Sequence, residues 1–332
     1  MAIFRHTSDL PPEALDAVVV IGNFDGVHRG HQAVIEEARG LARGFDTSLA
    51  VLTFEPHPRR FFQPDAAPFQ LTGFRLKAGL IEALGVDNLF VLTFNRAFSE
   101  LSAEAFLSRI LVDDLRVRHV VVGENFAFGH KRRGSADFLR ARAEALGFGV
   151  SILKPVTGPG EAAYSSTAIR ALLKSGDPVR AARSLGRYWE IEGRVQAGEK
   201  LGRQIGFPTA NIAPGNSLQP ARGIYAVRAG LDGKQGTAWH DGVASFGVRP
   251  TVGGGAPLLE VHLFDLEEDL YGRHMRVAFV EYLRPEWTFD GIEPMRKQMV
   301  EDSRRARVVL KREVREKPLA EGISPAVSRH ES

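Results

Sequence analysis

The 332-residue chain contains no cysteine, so disulfides, thiolate metal sites and cysteine nucleophiles are excluded. Long apolar runs are also missing, since the longest, such as residues 17–21, fall far short of the ~18–20 residues that span a bilayer. The first ten residues lack the apolar core of a signal peptide. A net charge of only +3 does not favour a polyanion ligand. We therefore expect a cytoplasmic protein that binds neither membrane nor nucleic acid; the oligomeric state stays open.

The first half of the chain alternates short apolar runs with helical patterns. The runs cover residues 17–22, 49–54, 88–93, 119–123 and 150–153. Non-alternating apolar strands between amphipathic helices are typical of an α/β domain with a parallel sheet. Such sheets bind ligands beyond the carboxyl ends of their strands. Asp177 and Pro178 have the residue types of a helix N-cap and first helical position.

The second half has a strand-like pattern. The strand-like stretches cover residues 190–195, 224–229, 237–246, 259–264 and 275–282. Several short strands in succession predict a small antiparallel barrel or sandwich. A closing helix is expected over residues 292–310. We predict domains over residues 1–186 and 187–312, followed by a disordered polar tail over 313–332.

A first candidate site lies where the first predicted strand meets the first helix, in the string GNFDGVHRGH (22–31). His28 and His31 are three residues apart and share one face of an opening helical turn. Free N–H groups and the helix dipole attract phosphate there, and imidazoles can donate hydrogen bonds to it. Two such histidines can also be surface residues or half of a metal pair. The flanking glycines favour phosphate, and no obvious third metal ligand lies nearby in the sequence.

Two other segments of the first half could contact phosphate. Ser166 and Thr167 open a predicted helix, and Arg170 follows one turn later, which suits a phosphate clamp. A plain helix cap with a solvated arginine would explain the same spacing. The basic run from His130 to Arg133 is either a solvated turn or a mobile cationic lip that recruits phosphates.

The second half has three features of its own. Glycines recur at intervals of four: Gly198, Gly202 and Gly206. A glycine-spaced loop can wrap phosphates with its backbone N–H groups. Thr209 and Asn211 alternate on an extended segment, where their oxygens suit Mg²⁺ or ordinary hydrogen bonding. Glu260 interrupts an apolar strand, so it is salt-bridged, water-facing or a catalytic base.

Taken together, these strings resemble the bacterial bifunctional riboflavin kinase/FAD synthetase family. Those of the first half are GNFDGVHRGH (22–31), TFEPHP (53–58), VGENFAFG (122–129) and SSTAIR (165–170). Those of the second are GxxxGRxIGFPTAN (198–211), GIYAV (223–227), LEVHLFD (259–265) and DLYG (269–272). The resemblance spans about residues 15–310. It implies a Rossmann-like nucleotidyltransferase domain, then a six-stranded split barrel with a C-terminal helix.

The resemblance implies that the first half transfers AMP from ATP to FMN, giving FAD and pyrophosphate. It places the ATP on Gly22, Phe24, His28, His31, Ser166, Thr167 and Arg170, with the two histidines catalytic. It places the flavin beside His57, Pro58 and Asn125. In-line attack needs no covalent enzyme intermediate, so positioning and charge stabilisation would supply the catalysis.

The resemblance further implies that the second half phosphorylates riboflavin, with ATP on Gly198, Gly202, Gly206, Thr209 and Asn211. Thr209 and Asn211 would hold Mg²⁺, and Glu260 would act as general base. Ser245 stands where many relatives carry Asn, which we interpret as a variant and not an inactivation. A nucleotidyltransferase for another phosphorylated metabolite would explain the first site but not the second. A flavin or nucleotide sensor would predict loss of the histidines or Glu260, which are present.

Overall fold

Contacts among its residues divide the chain into two units. The computed structural model describes residues 1–158, 163–197, 202, 205–233, 236–248 and 256–315. Contacts between Cα atoms group residues 1–67 with 77–164 in the first unit. Residues 68–76 and the described residues from Ser165 onward form the second. The domain boundary predicted at residue 187 stays a proposal.

The first unit contains a six-stranded parallel sheet. Its strands are β1 (Ala2–Phe4), β2 (Val18–Ile21), β3 (Leu49–Glu55), β4 (Asn88–Thr93), β5 (His119–Gly123) and β8 (Gly149–Leu153). Their order is β1-β4-β3-β2-β5-β8, and every neighbouring pair is parallel. The five predicted strands are confirmed, and β1 adds an edge strand that the sequence analysis missed. A short hairpin, β6 (Ala127–Phe128) with β7 (Gly134–Ser135), follows β5.

Helices accompany this sheet. They are α1 (Arg29–Phe45), α2 (Pro58–Phe62), α3 (Phe74–Ala83), α4 (Arg96–Ser99), α5 (Ala103–Ala105), which continues as a π-helix (Phe106–Asp114), and α6 (Ala136–Leu146). Single 3₁₀ turns lie at Pro12–Ala14 and His130–Arg132. All four residues of β2 are buried, as expected of a central strand in a parallel sheet. Helix α1 buries Ile35, Ala38 and Ala42, so its apolar stripe supplies one layer of the core.

The position of β2 determines where a ligand can bind. Strand β2 lies between β3 and β5, and the chain order reverses there. In open α/β sheets, ligands bind beyond the carboxyl ends of the strands at such a switch point. Because the strands are parallel, the loops that follow β2, β3 and β5 leave the same edge of the sheet. These loops contain the predicted residues from Gly22 to His31, His57 with Pro58, and Asn125.

The second unit contains a closed antiparallel barrel, which decides between the barrel and the sandwich. Its strands are β9 (Trp189–Gln196), β10 (Ala210–Ile212), β11 (Gly223–Gly233), β12 (Gly236–Val248), β13 (Pro257–Leu263) and β14 (His274–Arg284). Their order around the barrel is β10-β13-β12-β11-β14-β9. Trp189, Tyr225 and Phe279 fill the interior, with ring centroids 4.9–5.0 Å apart. Alternate residues of the strands therefore point into one apolar core.

Three helices belong to the second unit: α7 (Ser166–Lys174), α8 (Pro178–Leu185) and α9 (Ile292–Arg315). The side chain of Asp177 accepts a hydrogen bond from the backbone N–H of Arg180, which confirms the predicted cap of α8. Helix α9 covers the outside of the barrel, where Ala306 and Leu310 pack in one cluster with Phe264. It continues past the predicted end at 310 to Arg315. The rest of the predicted tail, residues 316–332, lies outside the described residues.

Residues 68–76 are held on the barrel by specific contacts. The backbone carbonyl of Leu71 accepts a hydrogen bond of 2.8 Å from Nε1 of Trp189. Arg75 pairs with Asp232 at 2.8 Å, and Glu192 accepts a hydrogen bond of 3.3 Å from the backbone N–H of Leu76. Leu71 also belongs to the barrel's apolar core. This nine-residue segment is thus part of the second unit despite its place in the sequence.

Candidate active sites

The two histidines of the first unit lie face to face. Helix α1 begins at Arg29, so His28 is its N-cap and His31 lies in its first turn. The two imidazole rings are stacked with centroids 3.7 Å apart and planes inclined by 20°. His28 is buried, and His31 is partly covered. The arrangement places two imidazoles at a helix N-terminus, where an anion is favoured.

Glycine is required in this loop for close packing. A Cβ atom on Gly30 would lie 3.1 Å from the imidazole ring of His28, and one on Gly22 would lie 3.3 Å from the ring of Phe24. Phe24 itself has a left-handed backbone (φ 50°), and its ring centroid is 5.2 Å from that of His31. Gly22 and Gly30 therefore leave the space that the aromatic and histidine rings occupy.

The electrostatics of the site depend on a residue that the sequence analysis missed. Burial lowers the pKa of His31 well below its ordinary value of 6.5, and the nearby His28 and Lys77 lower it further. The side chain of Lys77 is only 3% exposed, and its Nζ lies 2.6 Å from Oε1 of Glu55. Its signal in the sequence is a lysine between Leu76 and Ala78 in the apolar part of α3. His31 is thus neutral near pH 7 in the free protein.

The predicted flavin residues follow two strands that lie on either side of β2. His57 is the N-cap of α2, and its Nδ1 accepts a hydrogen bond of 3.1 Å from the backbone N–H of Arg59. Pro58 opens the helix, as expected for a residue with a fixed φ. Asn125 is exposed between β5 and β6. These residues follow β3 and β5, which flank β2.

An aromatic cluster in the same unit was not predicted. Its rings have centroids 5.1–6.1 Å apart and belong to Phe54, Phe61, Phe62, Phe94 and Phe98. Phe62 is 63% exposed, which is unusual for so large an apolar side chain. The available signal was the Phe61–Phe62 pair shortly after His57. Exposed rings of this kind offer stacking surface to a flat aromatic ligand.

The Ser-Ser-Thr segment lies at the start of α7, in the second unit. Ser165 caps the helix by accepting a hydrogen bond of 3.2 Å from the backbone N–H of Ala168, so Ser166 and Thr167 occupy the first turn. The solvated arginine of the alternative interpretation is not observed. Arg170 is partly buried, donates a hydrogen bond of 2.8 Å to the carbonyl of Phe69, and lies over the Phe69 ring.

The basic run after Phe128 is exposed and has an unusual backbone. Lys131 and Arg132 both have left-handed backbones, with φ of 54° and 57°. His130 Nδ1 lies 3.1 Å from the carbonyl oxygen of Ser99, which attaches one end of the run. Two successive non-glycine residues with positive φ are costly and often lie at functional sites. A phosphate-recruiting role for this run stays a prediction.

The second unit contains a cavity of about 230 Å³ around Glu260. Thr209, Ser245 and Glu260 contribute polar groups to its lining. Trp287, Phe289 and Met299 supply apolar surface. A concave space that combines apolar surface with polar and charged groups is the usual form of a small-molecule site.

The strand register brings the polar residues together. Glu260 on β13 lies directly opposite Asn211 on β10 and directly opposite Ser245 on β12. Directly opposite side chains lie on one face, with Cβ atoms about 4.5–5.5 Å apart. Leu259 and Val261 point into the barrel core, so the predicted alternation is confirmed. Glu260 is therefore a half-buried carboxylate on the cavity wall, between an amide and a hydroxyl side chain.

Two glycines shape the turn before Thr209. The carbonyl of Gly202 accepts a hydrogen bond of 2.7 Å from the backbone N–H of Phe207, and a Cβ on Gly202 would lie 2.3 Å from the Phe207 carbonyl oxygen. Gly206 has a φ of 83°. His262 Nδ1 lies 2.9 Å from the Pro208 carbonyl oxygen. Gly198 lies outside the described residues.

A buried ion pair forms part of the cavity lining. Arg284 on β14 and Asp302 on α9 make a two-pronged contact, with Nε–Oδ1 and Nη2–Oδ2 distances of 2.9 and 2.6 Å. Their exposed fractions are 7% and 2%. The guanidinium also lies 4.5 Å from the ring centroid of Trp287. The pair thus connects the barrel to the helix beside the cavity.

Three arginines of α9 make contacts within the second unit. Arg304 pairs with Glu301 at 2.7 Å, and Arg307 pairs with Asp265 at 2.8 Å. Arg305 donates a hydrogen bond of 3.1 Å to the carbonyl of Leu283. Each of these side chains thus has a partner within the second unit. Among the described helices, none is long and apolar enough to cross a membrane.

Comparison with known proteins identifies a family for each half of the chain. The FAD synthetase family matches residues 10–168, and the riboflavin kinase family matches residues 185–310. A bifunctional riboflavin kinase/FMN adenylyltransferase from Pseudomonas fluorescens is 42% identical over 93% of this chain and 98% of its own length. The protein of that name from Escherichia coli K12 is 40% identical over 91% of this chain and 95% of its own.

The fold also has a solved counterpart. The crystal structure of a protein named macrolide-efflux protein, from Streptococcus pneumoniae, matches with a TM-score of 0.81 and 28% identity. The match covers 92% of this chain and 98% of that one. The two matched family domains occur in the same order as the two observed folds. The relatives also align along nearly the whole chain, so these findings identify its family. The chain belongs to the bifunctional riboflavin kinase/FMN adenylyltransferase family.

Proposed function

We propose that the second unit phosphorylates riboflavin with ATP and that the first unit joins the resulting FMN to AMP. The observation that supports this most strongly is the position of Glu260. It lies on the wall of a largely apolar cavity, opposite Asn211 and Ser245. An accessory barrel in a transferase of another metabolite would have no need for that grouping.

In the kinase reaction, Glu260 takes the proton of the riboflavin 5′-hydroxyl. The hydroxyl oxygen then bonds to the γ-phosphorus of ATP, the bond from that phosphorus to the bridging oxygen breaks, and ADP leaves. Trp287 and Phe289 offer apolar surface for the flavin ring in the same cavity. The short turn at Gly202 and Gly206 brings backbone close to Thr209, where ATP phosphates would bind.

The donor set fits Mg²⁺. Thr209 and Asn211 offer a hydroxyl and an amide oxygen, which are the hard ligands this ion prefers. Asn211 is buried and directly opposite Glu260, so the two oxygen donors and the carboxylate share one part of the barrel. Bound there with ATP, Mg²⁺ would neutralise phosphate charge. Thr209 and Asn211 would hold it, and Gly198, Gly202 and Gly206 would contribute backbone to the ATP phosphates.

In the adenylyl transfer, a phosphate oxygen of FMN attacks the α-phosphorus of ATP. The bond to the oxygen that bridges the α- and β-phosphates breaks, and pyrophosphate leaves. His28 and His31 donate hydrogen bonds to the phosphates at the start of α1, with Gly22 and Phe24 shaping the loop. The resemblance also assigns Ser166, Thr167 and Arg170, at the start of α7, to the ATP phosphates, and that role stays a prediction.

The flavin of FMN would bind beside His57, Pro58 and Asn125. The exposed ring of Phe62 and its neighbour Phe61 add stacking surface there. We further propose that the protein works in the cytoplasm on riboflavin, FMN, FAD and ATP, with no nucleic-acid or membrane partner. Pyrophosphate leaves with developing negative charge, which hydrogen bonds from His28 and His31 would stabilise.

A crossed pair of variants tests both assignments. Glu260→Gln keeps the size of the side chain and removes the basic carboxylate, so FMN formation should fall by about 10² to 10⁴-fold. FAD formation from supplied FMN should persist. His28→Ala with His31→Ala should do the reverse and lower FAD formation on the order of 10² or more. Both reactions are followed on each preparation by chromatography of the flavins.

The crossed design separates chemistry from folding. Thermal melting of each variant checks that both units remain folded. Near-normal FMN formation by Glu260→Gln would refute the proposal that Glu260 is the general base. Loss of both activities in the histidine variant, with normal melting, would show that the two sites are not independent.

A further inference from the structure

Lys77 is a buried cation that the two reactions above do not use. Lysine is almost never fully buried unless its charge is paired. Its partner here is Glu55, with Nζ and Oε1 2.6 Å apart and side-chain exposures of 3% and 22%. Glu55 is the last residue of β3, immediately before the Pro56–His57 turn. The ion pair thus joins α3 to the end of a strand that leads into the candidate flavin residues.

The same ammonium group also reaches the histidine loop. Nζ of Lys77 lies 3.5 Å from the backbone carbonyl oxygen of Asn23, and Oγ1 of Thr53 lies 3.4 Å from that same oxygen. Asn23 precedes Phe24, whose φ of 50° is costly for an aromatic residue. Two donors from different elements therefore converge on one carbonyl at the start of the strained turn that ends at His28.

Lys77 could act on the site through its charge or through its contact with the Asn23 carbonyl, and the partner charge of Glu55 decides between these two effects. Lys77 and Glu55 cancel each other at a distance, so their net attraction for a nucleotide is small. At short range the ammonium acts on the site, because it contributes to the low pKa of His31. Directed contact with Asn23 is the larger effect, since misplacing a catalytic group by about 1 Å can cost about 10²-fold in rate.

We propose that Lys77, held by Glu55, is a positioning residue for adenylyl transfer: it anchors the Asn23 carbonyl and so fixes the loop that presents Phe24 and His28. This inference rests on the proposed function of the first unit. It assigns a role to a residue that touches neither substrate nor the reacting atoms. It also explains why a full positive charge lies inside an otherwise apolar part of α3.

The test compares three variants of the full chain. Lys77→Met keeps the length of the side chain and removes the charge, and it should lower kcat/KM for FAD formation by about 10- to 100-fold. Lys77→Arg keeps a charged donor for Glu55 and Asn23, so it should recover a substantial part of that loss. Arg116→Met removes a cation from an exposed ion pair with Asp16, at the opposite edge of the sheet, and should leave the rate unchanged. FMN formation from riboflavin should be normal in all three.

Two readouts keep the proposal falsifiable. The imidazole resonance of His31 should titrate at higher pH in Lys77→Met than in the wild type, because a nearby positive charge has been removed. If Lys77→Met does not fold, Glu55→Gln replaces it, and a folded Glu55→Gln variant should also lose FAD formation. Full FAD formation in either folded variant, or failure of Lys77→Arg to exceed Lys77→Met, would overturn the positioning role. A wild-type protein that makes no FAD would instead refute the proposed function.

Discussion

The buried pair of Arg284 and Asp302 should dominate the stability of the second unit. In Asp302→Ala the guanidinium keeps its charge and loses a partner that is 2% exposed and makes contacts of 2.6–3.1 Å. Removing one partner of a buried pair costs about 3–5 kcal/mol. With a urea dependence of about 2 kcal/mol per M, the unfolding midpoint should fall by about 1.5–2.5 M.

The assay follows from the tryptophans, since Trp189, Trp239 and Trp287 all belong to the second unit. Their fluorescence during urea unfolding reports on that unit alone. Glu301→Ala is the matched control, because the neighbouring carboxylate pairs with Arg304 at the exposed surface and its loss should leave the midpoint unchanged. Arg284→Met with Asp302→Leu should regain much of the loss. A wild-type midpoint for Asp302→Ala would refute the reasoning.

Two further predictions concern the first histidine site and the extent of the second unit. Burial lowers the pKa of His31, so below pH 6.5 the unfolded state binds a proton more readily than the folded state. The first unit should therefore melt at a lower temperature as the pH falls from 6.5, and His31→Gln should reduce this pH dependence. Melting is followed by circular dichroism between pH 5 and 8. A pH dependence that is the same in the variant and the wild type would contradict the burial argument. A fragment of residues 165–315 should melt higher than one of 187–315, because the shorter one lacks Ile169, Leu173, Ala181 and Leu185 of the barrel core. Equal melting temperatures, measured by tryptophan fluorescence, would show that α7 and α8 are dispensable.

Local patterns predicted most of the fold. The uninterrupted apolar run of β2, the Asp177–Pro178 cap and the alternation around Glu260 each reflect short-range rules of strand burial and helix capping. The two histidines could be placed together because helical spacing over three residues leaves little freedom. These features depend on neighbours in sequence, so a single sequence is enough to find them.

The features that escaped prediction depend on distant partners. Strand β1 has three residues and forms only through pairing with Asn88–Phe90, far along the chain. In the sequence Lys77 is one polar residue of a helix, and its contacts with Glu55 and Asn23 appear only in the folded structure. The place of residues 68–76 in the second unit was equally hidden, because Leu71 joins the barrel through Trp189, more than a hundred residues away. None of these contacts has a periodic signature.

The path of the chain also constrains its synthesis. Residues 68–76 leave the ribosome before any barrel strand exists, and their partner strands β9 and β11 arrive more than a hundred residues later. The barrel closes only when β14, which pairs with both β9 and β11, has been made. At about 5–20 residues per second, the 120 residues from Ser165 to Arg284 take about 6–24 s. A nascent chain therefore spends seconds with its first unit complete and one of its own segments waiting for a barrel that has not yet been translated.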